Sequence, residues 1–279
     1  MSGHHTTQTA LRDDDGARRE RTGAWRMALP VAILAAGIIA WALIVRINAI
    51  PPYVLPGPAL VAQTLIQDWP ILWSSLLTTL LTTLEGFAAA AIGGIALALL
   101  FSQSRWLEVA LLPYAIVLQV TPVIAIAPLL LIYLPQQTAV VVCAWIVAFF
   151  PVLSNTTLGL NSADRNLVGL FKLYGASRWQ MLRYLKLPAA LPYTLGGLRI
   201  AGGLSLIGAV VAEIAAGSAG TGSGLAYRIA ESGYRLNIPR MFAALLLLSF
   251  AGVVIYTVLA LVSHRLLRRW HESALRKES

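Results

Sequence analysis

Ionisable side chains inside apolar stretches are the residues of this sequence whose positions most need a chemical explanation. Three of them lie in long apolar runs: Glu85, Arg199 and Glu213. A charge at bilayer depth costs roughly 3 kcal/mol on insertion scales and usually faces water or a partner. At about 1.5 Å per helical residue, Glu85 and Arg199 fall at similar mid-depth positions, whereas Glu213 falls near a helix end, within reach of water. The pattern predicts either a structural Glu85–Arg199 ion pair or contacts with a solute, and the sequence leaves both open.

Uncharged polar side chains recur inside two of the apolar runs. Gln119, Thr121 and Pro122 stand together in one run, where the proline removes a backbone hydrogen bond and predicts a kink with polar groups at depth. The other run begins with a polar stripe made of Ser75, Thr78, Thr79, Thr82 and Thr83. Thr82 and the three residues at the kink are the predicted lining of a path through the membrane. The alternative is structural, because most intramembrane threonines bond to their own helix backbone.

Residue sets that perform catalysis or bind metals are absent from the sequence. Cys143 is the only cysteine and lies in an apolar run, so an internal disulfide is excluded and a reactive thiol is not expected. The four histidines lie in terminal stretches and form no HExxH or Cys/His cluster. The phosphate-binding pattern GxxxxGK(S/T) does not occur either. We therefore expect no enzyme activity, no cofactor and no metal, and ATP binding by that pattern is not expected in this subunit.

Composition identifies an integral membrane protein. Hydrophobic residues make up 58% of the chain, charged residues 12%, and the mean hydropathy is +0.73, whereas roughly a quarter of the residues of an ordinary soluble domain are charged. A span needs about 20 apolar residues, and we predict an all-α fold with six of them. The expected spans are Met27–Ile47, Ser74–Phe101, Val109–Leu134, Thr138–Leu160, Ala189–Ala216 and Met241–Val262.

The remaining segments complete the predicted organisation. Residues 1–26 are expected to be a disordered tail, 27–265 the membrane domain and 266–279 a basic tail. We prefer an uncleaved first helix to a signal peptide, because the first run is long and no cleavage pattern follows it. A short helix over residues 58–69 is expected on the outer membrane surface, and residues 225–240, which carry four charges, are expected to be exposed. Small residues recur every four positions in the second span, which predicts close helix packing: Gly86, Ala90, Gly94 and Ala98.

The distribution of basic residues predicts the orientation. If both termini are cytoplasmic, sixteen Lys/Arg lie on the inner side and four on the outer side. That asymmetry follows the positive-inside rule. It also accounts for the net charge of +9 without nucleic acid, because basic residues on the inner face meet anionic lipid headgroups.

The segment between the fourth and fifth spans, residues 161–188, is then cytoplasmic. Gly175 suits the left-handed conformation that ends a helix. Ser177 with Gln180 three residues later has the form of a capping box, which begins another helix. The segment is expected to fold as helix, sharp turn and helix, with Phe171 and Tyr174 exposed beside the turn. From composition alone, an amphipathic helix resting on the bilayer is an equally good interpretation.

This segment resembles the cytoplasmic loop of ABC importer permeases, the binding-protein-dependent inner membrane components. The resemblance lies in Gly175, Leu185, Leu187 and Pro188, whereas the Glu-Ala-Ala signature of that loop is replaced by Gly169-Leu170-Phe171. The stretches LPGPALV, TPVIAIAPLLLIYL, VVAEI and RMFAALLLLSFAGVVIY resemble the nitrate/taurine/alkanesulfonate branch of the family. Together they cover most of residues 50–265. The branch is also similar to permeases for pyrimidines and riboflavin, so the resemblance does not identify the solute.

The resemblance implies a type I importer permease in the bacterial inner membrane. It implies a homodimeric pore with alternating access, a periplasmic solute-binding protein, and two ATPase subunits that each receive one cytoplasmic loop. The predicted contacts with the ATPase are Phe171, Tyr174, Gly175, Ala176, Ser177, Arg178, Leu187 and Pro188. The polar and charged side chains inside the spans are the predicted translocation path: Thr82, Glu85, Gln119, Thr121, Pro122, Arg199 and Glu213.

Two further interpretations stay open at this point. The Gly-rich stretch 217–224 and the LAYRIAES stretch after it are a candidate contact for the binding protein, or else an ordinary flexible loop. An ion-coupled secondary transporter that uses Glu85 or Glu213 as its proton site is the alternative function. Such a transporter would need no ATPase and would be expected to contain inverted internal repeats.

Overall fold

The described chain is helical throughout. The structure is a computed structural model that describes residues 29–217 and 222–275, with the backbone alone after residue 268. The predicted tail 1–26 and residues 218–221 of the Gly-rich stretch lie outside the described residues. The helices are α1 (Leu29–Ile47), α2 (Pro58–Gln67), α3 (Trp69–Gln103), α4 (Arg105–Val120), α5 (Val123–Tyr133), α6 (Gln136–Leu160), α7 (Arg165–Leu173), α8 (Arg178–Met181), α9 (Leu187–Ala216), α10 (Leu225–Tyr234) and α11 (Ile238–Leu275), with a π-helical segment Leu182–Lys186 between α8 and α9.

Five helices of the described chain are long and apolar enough to cross a membrane, and a bent pair supplies the sixth span. That pair is α4 and α5, which meet at an angle of 98°. The all-α fold with six apolar spans is therefore confirmed, and the third span breaks where a kink was predicted, beside Thr121 and Pro122. A proline cannot continue the α4 hydrogen-bond ladder, and the break is much sharper than a kink. The described part of α11 continues to Leu275, past the position where a basic tail was expected to begin.

Close packing of α6 with α3 and α9 forms the centre of the bundle. An added Cβ at Gly86 of α3 would lie 2.5 Å from the Cβ of Ala144 in α6, and one at Gly208 of α9 would lie 2.8 Å from the carbonyl oxygen of Cys143. Both distances are shorter than real contacts allow. Small residues therefore set the separation of these helices, as the four-residue spacing in α3 predicted.

The segment 225–240 is packed, and the prediction that it is exposed was wrong. Leu225 and Ala226 are fully buried against the bundle. Its charges are neutralised in pairs: Arg228 bonds Glu231 at 2.8 Å, and Arg240 binds Asp68 with both of its donors, at 2.6 and 3.0 Å. Pairing allows Arg228, Glu231 and Arg240 to lie against the protein, whereas Arg235 stays 69% exposed.

The helix that contains the predicted fifth span begins before Ala189. Helix α8, the π segment and α9 form one uninterrupted helical rod from Arg178 to Ala216, 39 residues long. A π turn shifts the hydrogen-bond register. Such a shift immediately before Pro188 explains how the rod continues where the missing proline N–H would otherwise end it. The second helix of the loop is therefore the first turn of a membrane-spanning helix.

Candidate functional site

The turn between α7 and α8 has the geometry expected from its sequence. Gly175 has a φ of +68°, in the left-handed region. The N–H of Ala176 donates to the carbonyl of Phe171 at 2.9 Å, and the N–H of Gly175 donates to the carbonyl of Lys172 at 3.0 Å. These two bonds form a Schellman motif, which satisfies the last carbonyls of α7.

A capping box begins the next helix immediately after this turn. The N–H of Gln180 donates to Ser177 Oγ at 3.2 Å, and the N–H of Ser177 donates to Gln180 Oε1 at 2.7 Å. Arg178 Nη1 makes a long contact of 3.5 Å to the carbonyl of Gln103 at the end of α3. The helix–turn–helix shape is therefore fixed by bonds between close neighbours in the sequence. We call the segment from α7 through Ser177 the loop corner.

The loop corner is exposed and concave. Tyr174 is 84% exposed and Leu173 is 86% exposed, and α7 has no buried residue. A hollow of about 450 Å³ opens between the two helices and is lined by Leu170, Phe171, Tyr174, Gly175, Ala176, Gln180 and Tyr184. Leu187 and Pro188 do not join it, because they lie farther along the rod, in the first turn of α9. The structure thus brings together six of the eight predicted loop residues around one turn.

Glu213 lies at the opposite end of the bundle and is 3% exposed, so the prediction that it reaches water was wrong. Its Oε2 accepts hydrogen bonds from Thr79 Oγ1 at 3.0 Å and from the N–H of Ala226 at 3.1 Å. Thr79 Oγ1 accepts in turn from the N–H of Leu225 at 2.8 Å. Gly224 is the N-cap of α10 and has no side chain that could accept a hydrogen bond from the helix N–H groups. Glu213 and Thr79 therefore cap the first free N–H groups of α10 from two other helices.

The capping arrangement depends on a close approach at Gly224. A Cβ added there would overlap the carboxyl group of Glu213. The second carboxylate oxygen, Glu213 Oε1, is buried and has no hydrogen-bond partner. Only one oxygen of the carboxylate is therefore committed to the helix cap.

A polar cavity of about 450 Å³ adjoins this carboxylate. It is lined by Thr78, Leu81, Thr82, Gln136, Gln137, Val140, Glu213, Gly222, Ser223 and Gly224. Two residues of the predicted path, Thr82 and Glu213, therefore share one cavity. We call it the Glu213 cavity.

The other predicted path residues lie elsewhere. Gln119, Thr121 and Pro122 line a different cavity of about 410 Å³, at the bend between α4 and α5 and against α6 and α9. Thr121 Oγ1 donates to the carbonyl of Val117 at 2.6 Å, so this hydroxyl satisfies its own helix. Within one chain, the polar groups of the third span and those of the Glu213 cavity do not form a common site.

The hypothesis of a Glu85–Arg199 ion pair was wrong. Arg199 donates to the hydroxyl of Tyr256 in α11, and its guanidinium lies 4.3 Å from the centre of that ring. Glu85 is exposed on α3, and no ion pair is found for it among the described residues. The two residues also lie at different levels, because Gly86, next to Glu85, meets Ala144 of α6, whereas Gly197, near Arg199, meets Pro151 and Asn155. Arg199 lies on the face of α9 that meets α11. The face of α9 that meets α3 carries Ser205, whose hydroxyl donates to the carbonyl of Thr83 at 2.8 Å.

Several residues of these sites were not singled out by sequence reasoning. Thr79 was noticed only as one member of the polar stripe and Gly224 only as part of the Gly-rich stretch, and Gln137 and Tyr256 were not selected as site residues. The polar stripe was the one available signal. Nothing local in the sequence shows that residue 213 reaches residues 79 and 226.

Comparison with known proteins agrees with this architecture. The family described as "Binding-protein-dependent transport system inner membrane component" matches residues 90–271. The riboflavin transport system permease protein RibX of Chloroflexus aurantiacus is 37% identical over 88% of this chain and 91% of its own length. The putative aliphatic sulfonates transport permease protein SsuC of Bacillus subtilis is 29% identical over 96% of this chain and 95% of its own length.

A solved structure supports the fold. A chain from the crystal structure of an amino acid ABC transporter with histidines superposes with a TM-score of 0.60 at 20% identity. The match covers 73% of this chain and 97% of that one. At this identity the likeness concerns the fold alone.

Proposed function

This chain belongs to the binding-protein-dependent transport system inner membrane components, the permease subunits of ABC importers, and we propose that it works as a homodimeric pore. In this proposal two ATPase subunits drive the pore and a separate solute-binding protein loads it. Family membership favours this function over an ion-coupled secondary transporter. The phosphate-binding pattern is absent from the sequence, which supports ATP hydrolysis in a partner subunit.

The loop corner is the proposed contact with the ATPase. Its exposed Tyr174 and Leu173 project beside a hollow that an aromatic or aliphatic side chain of a partner would fill. The observation that carries the proposal is the continuity of the rod Arg178–Ala216, which begins at this corner and ends beside Glu213. At about 1.5 Å per residue, a 39-residue rod transmits a displacement at the corner over the full depth of the bundle. Rigid coupling of this kind is one way to switch a bundle between two arrangements.

In this proposal, the distribution of basic residues sets the orientation of the chain in the membrane. The loop corner and the start of the rod carry Arg165, Lys172, Arg178, Arg183 and Lys186. Basic loops are retained on the cytoplasmic side. We therefore place the loop corner in the cytoplasm with both termini, and the Glu213 cavity toward the periplasm, in a bacterial inner membrane. Leu187 and Pro188 then lie where the rod enters the membrane.

The translocation path is proposed to contain both cavities. Thr82 and Glu213 line the outer one, and Gln119, Thr121 and Pro122 line the one at the α4–α5 bend. Glu85 is exposed in a single chain, and a charge at this depth needs water or protein beside it. We propose that Glu85 meets the path or the second copy in the dimer, and that Arg199 supports the path through Tyr256. By analogy with the relatives, the solute is of vitamin, pyrimidine, sulfonate or nitrate type.

The substitution Gly175→Pro tests the coupling role of the corner. Proline fixes φ near −65° and has no N–H, so it cannot adopt the observed φ of +68° or donate to Lys172. In proteoliposomes with the ATPase and the binding protein, we expect loss of ATP-dependent uptake and of the stimulation of ATP hydrolysis by loaded binding protein. Gly169→Ala is the matched control, because its added Cβ meets nothing within 4 Å. A Gly175→Pro complex that assembles and still couples hydrolysis to uptake would contradict the proposal.

A further inference from the structure

The Glu213 cavity is large enough for a small solute. It lies between α3, the first turn of α6, the end of α9 and residues 222–224. Its volume of about 450 Å³ falls within the range of roughly 300 to 1,000 Å³ typical of small-molecule sites. Its lining combines hydroxyl, carboxamide and carboxylate groups with the apolar side chains of Leu81 and Val140.

The two threonines of this lining present acceptors. Thr78 Oγ1 donates to the carbonyl of Ser74 at 3.1 Å, and Thr82 Oγ1 donates to the carbonyl of Thr78 at 3.1 Å. Each hydroxyl has one hydrogen and two lone pairs. Because the hydrogens are bonded to the α3 backbone, the oxygens keep their lone pairs for a ligand. These hydroxyls therefore favour a donor in the cavity.

The carboxylate of Glu213 strengthens the same preference. An ionised carboxylate accepts hydrogen bonds and donates none. Oε2 is occupied by Thr79 and Ala226, whereas Oε1 is buried without a partner. A buried acceptor that lacks a donor is costly. The helix cap thus accounts for Oε2 only, and Oε1 still lacks an N–H or O–H donor.

No basic side chain offsets this charge. None of the residues that line the cavity is a lysine or arginine. Arg228 of α10 and Arg240 of α11 lie in the neighbouring helices, but they bind Glu231 and Asp68 and do not line the cavity. An oxyanion in this space would add acceptors beside a carboxylate, without a cation to compensate them.

We propose that the Glu213 cavity is a solute subsite of this permease and that it accepts uncharged solutes with N–H donors, such as nitrogen heterocycles that carry amide or imide groups. This assignment rests on the proposed function. The solute's donors bond Glu213 Oε1 and the oxygens of Thr78 and Thr82, and residues 222–224 cover the solute from the outer side. The carboxamide of Gln137 satisfies the acceptors of the same solute. We expect sulfonate and nitrate to bind poorly here, because they would lie beside the carboxylate of Glu213 with no lysine or arginine in the lining.

Equilibrium binding to the permease–ATPase complex tests this subsite. The binding protein is omitted because it imposes its own selectivity. Labelled riboflavin, uracil and nicotinamide serve as uncharged probes with N–H donors, and nitrate and ethanesulfonate serve as oxyanions. We expect at least one uncharged probe to bind and neither oxyanion to bind. If no uncharged probe binds, or if an oxyanion binds, the assignment is overturned.

Substitutions then locate the site. Glu213→Gln keeps one oxygen for the bonds from Thr79 and Ala226 but replaces Oε1 by an NH₂ group, so the uncharged probe should bind about tenfold more weakly, the effect of one hydrogen bond to a charged group. Thr82→Val removes an acceptor without touching the helix cap and should weaken binding severalfold. Glu108→Gln, a carboxylate replaced outside the cavity, is the control. Unchanged binding in Thr82→Val, or in a folded Glu213→Gln, overturns the assignment, and Thr82→Val decides if Glu213→Gln does not fold.

Uptake assays distinguish failure of the proposed subsite from failure of the proposed permease function. With the native binding protein present, ATP-dependent uptake of an uncharged N–H solute supports both. Uptake of an oxyanion that is unaffected by Glu213→Gln supports the permease function and overturns the subsite. Absence of ATP-dependent uptake for the binding protein's own ligand contradicts the permease function itself.

Discussion

The bundle has two helix–turn–helix corners, one at each end. Both contain the same kind of backbone turn, but different contacts stabilise them. At the loop corner, α7 ends in a Schellman motif with Gly175, and Ser177 caps α8. At the other end, the N–H of Asn237 donates to the carbonyl of Ser232 at 2.8 Å, which is the same motif at the end of α10. Asn237 Oδ1 then accepts from the N–H of Arg240 at 3.3 Å, near the start of α11. We call this second turn the α10 corner.

The residue in the left-handed conformation differs between the two corners. It is glycine at position 175 but leucine at position 236, with a φ of +56°. A residue with a Cβ pays about 1 to 2 kcal/mol in this conformation. Around Gly175 nothing lies within 4 Å of an added Cβ, so the loop corner has only its local bonds. Leu236 is itself 71% exposed, but α10 is anchored at its other end, where Leu225 and Ala226 are fully buried and Glu213 caps the helix. Both turns are exposed, and the difference lies in the helix before each turn: α7 has no buried residue, whereas α10 is held by tertiary contacts.

The largest expected effect comes from removing the cap of α10. Glu213→Leu leaves the N–H of Ala226 and the hydroxyl of Thr79 without an acceptor, and buried unpaired groups cost about 1 to 3 kcal/mol each. We expect a loss of about 3 kcal/mol in the free energy of unfolding in detergent. Hydrogen exchange should accelerate in α10 and stay unchanged in α7. Equal acceleration in both helices would show that the two corners are not held independently.

A smaller effect is expected from the ion pair that fixes the start of α11. Arg240→Met removes both bonds to Asp68, in a pair whose side chains are 26% and 20% exposed. Hydrogen bonds to charged groups contribute about 1.5 to 3 kcal/mol, so we expect a loss of about 2 kcal/mol. Arg235→Met is the control, because Arg235 is 69% exposed in its pair with Glu231 and exposed pairs contribute roughly 0 to 1 kcal/mol. A similar loss in both variants would refute the argument from burial.

The smallest effects on stability are expected from substitutions of the two residues with positive φ, Gly175 and Leu236. Gly175→Ala places a Cβ at positive φ and should destabilise the loop corner by about 1 kcal/mol. Leu236→Gly removes the same strain but adds freedom to the unfolded chain, worth about 0.5 to 1 kcal/mol, so the net change should stay below about 0.5 kcal/mol. Hydrogen exchange of α7 and of α10 reports the two changes separately. A larger effect at Leu236 than at Gly175 would contradict the comparison.

Sequence reasoning succeeded where the deciding contacts are local. The turn at Gly175 and the box of Ser177 with Gln180 each depend on residues at most a few positions apart, and both have the predicted geometry. The prediction for Glu213 failed because its partners, Thr79 and Ala226, are separated from it by 134 and 13 residues. The continuity of the helix through Pro188 was not predicted either, because the π segment before the proline is not visible in the sequence.

The sequence by itself determined the helical class, the apolar spans, the asymmetry of basic residues and the shape of the loop corner. Hydropathy and hydrogen bonds between near neighbours are properties of single segments, so they can be predicted from the sequence without the tertiary structure. The tertiary structure decided which intramembrane polar groups meet. Residue counts predicted similar depths for Glu85 and Arg199, but the register and the rotation of each helix come from packing at residues such as Gly86, Gly197 and Gly208. That rotation turned Arg199 toward Tyr256 and brought Glu213 to Thr79.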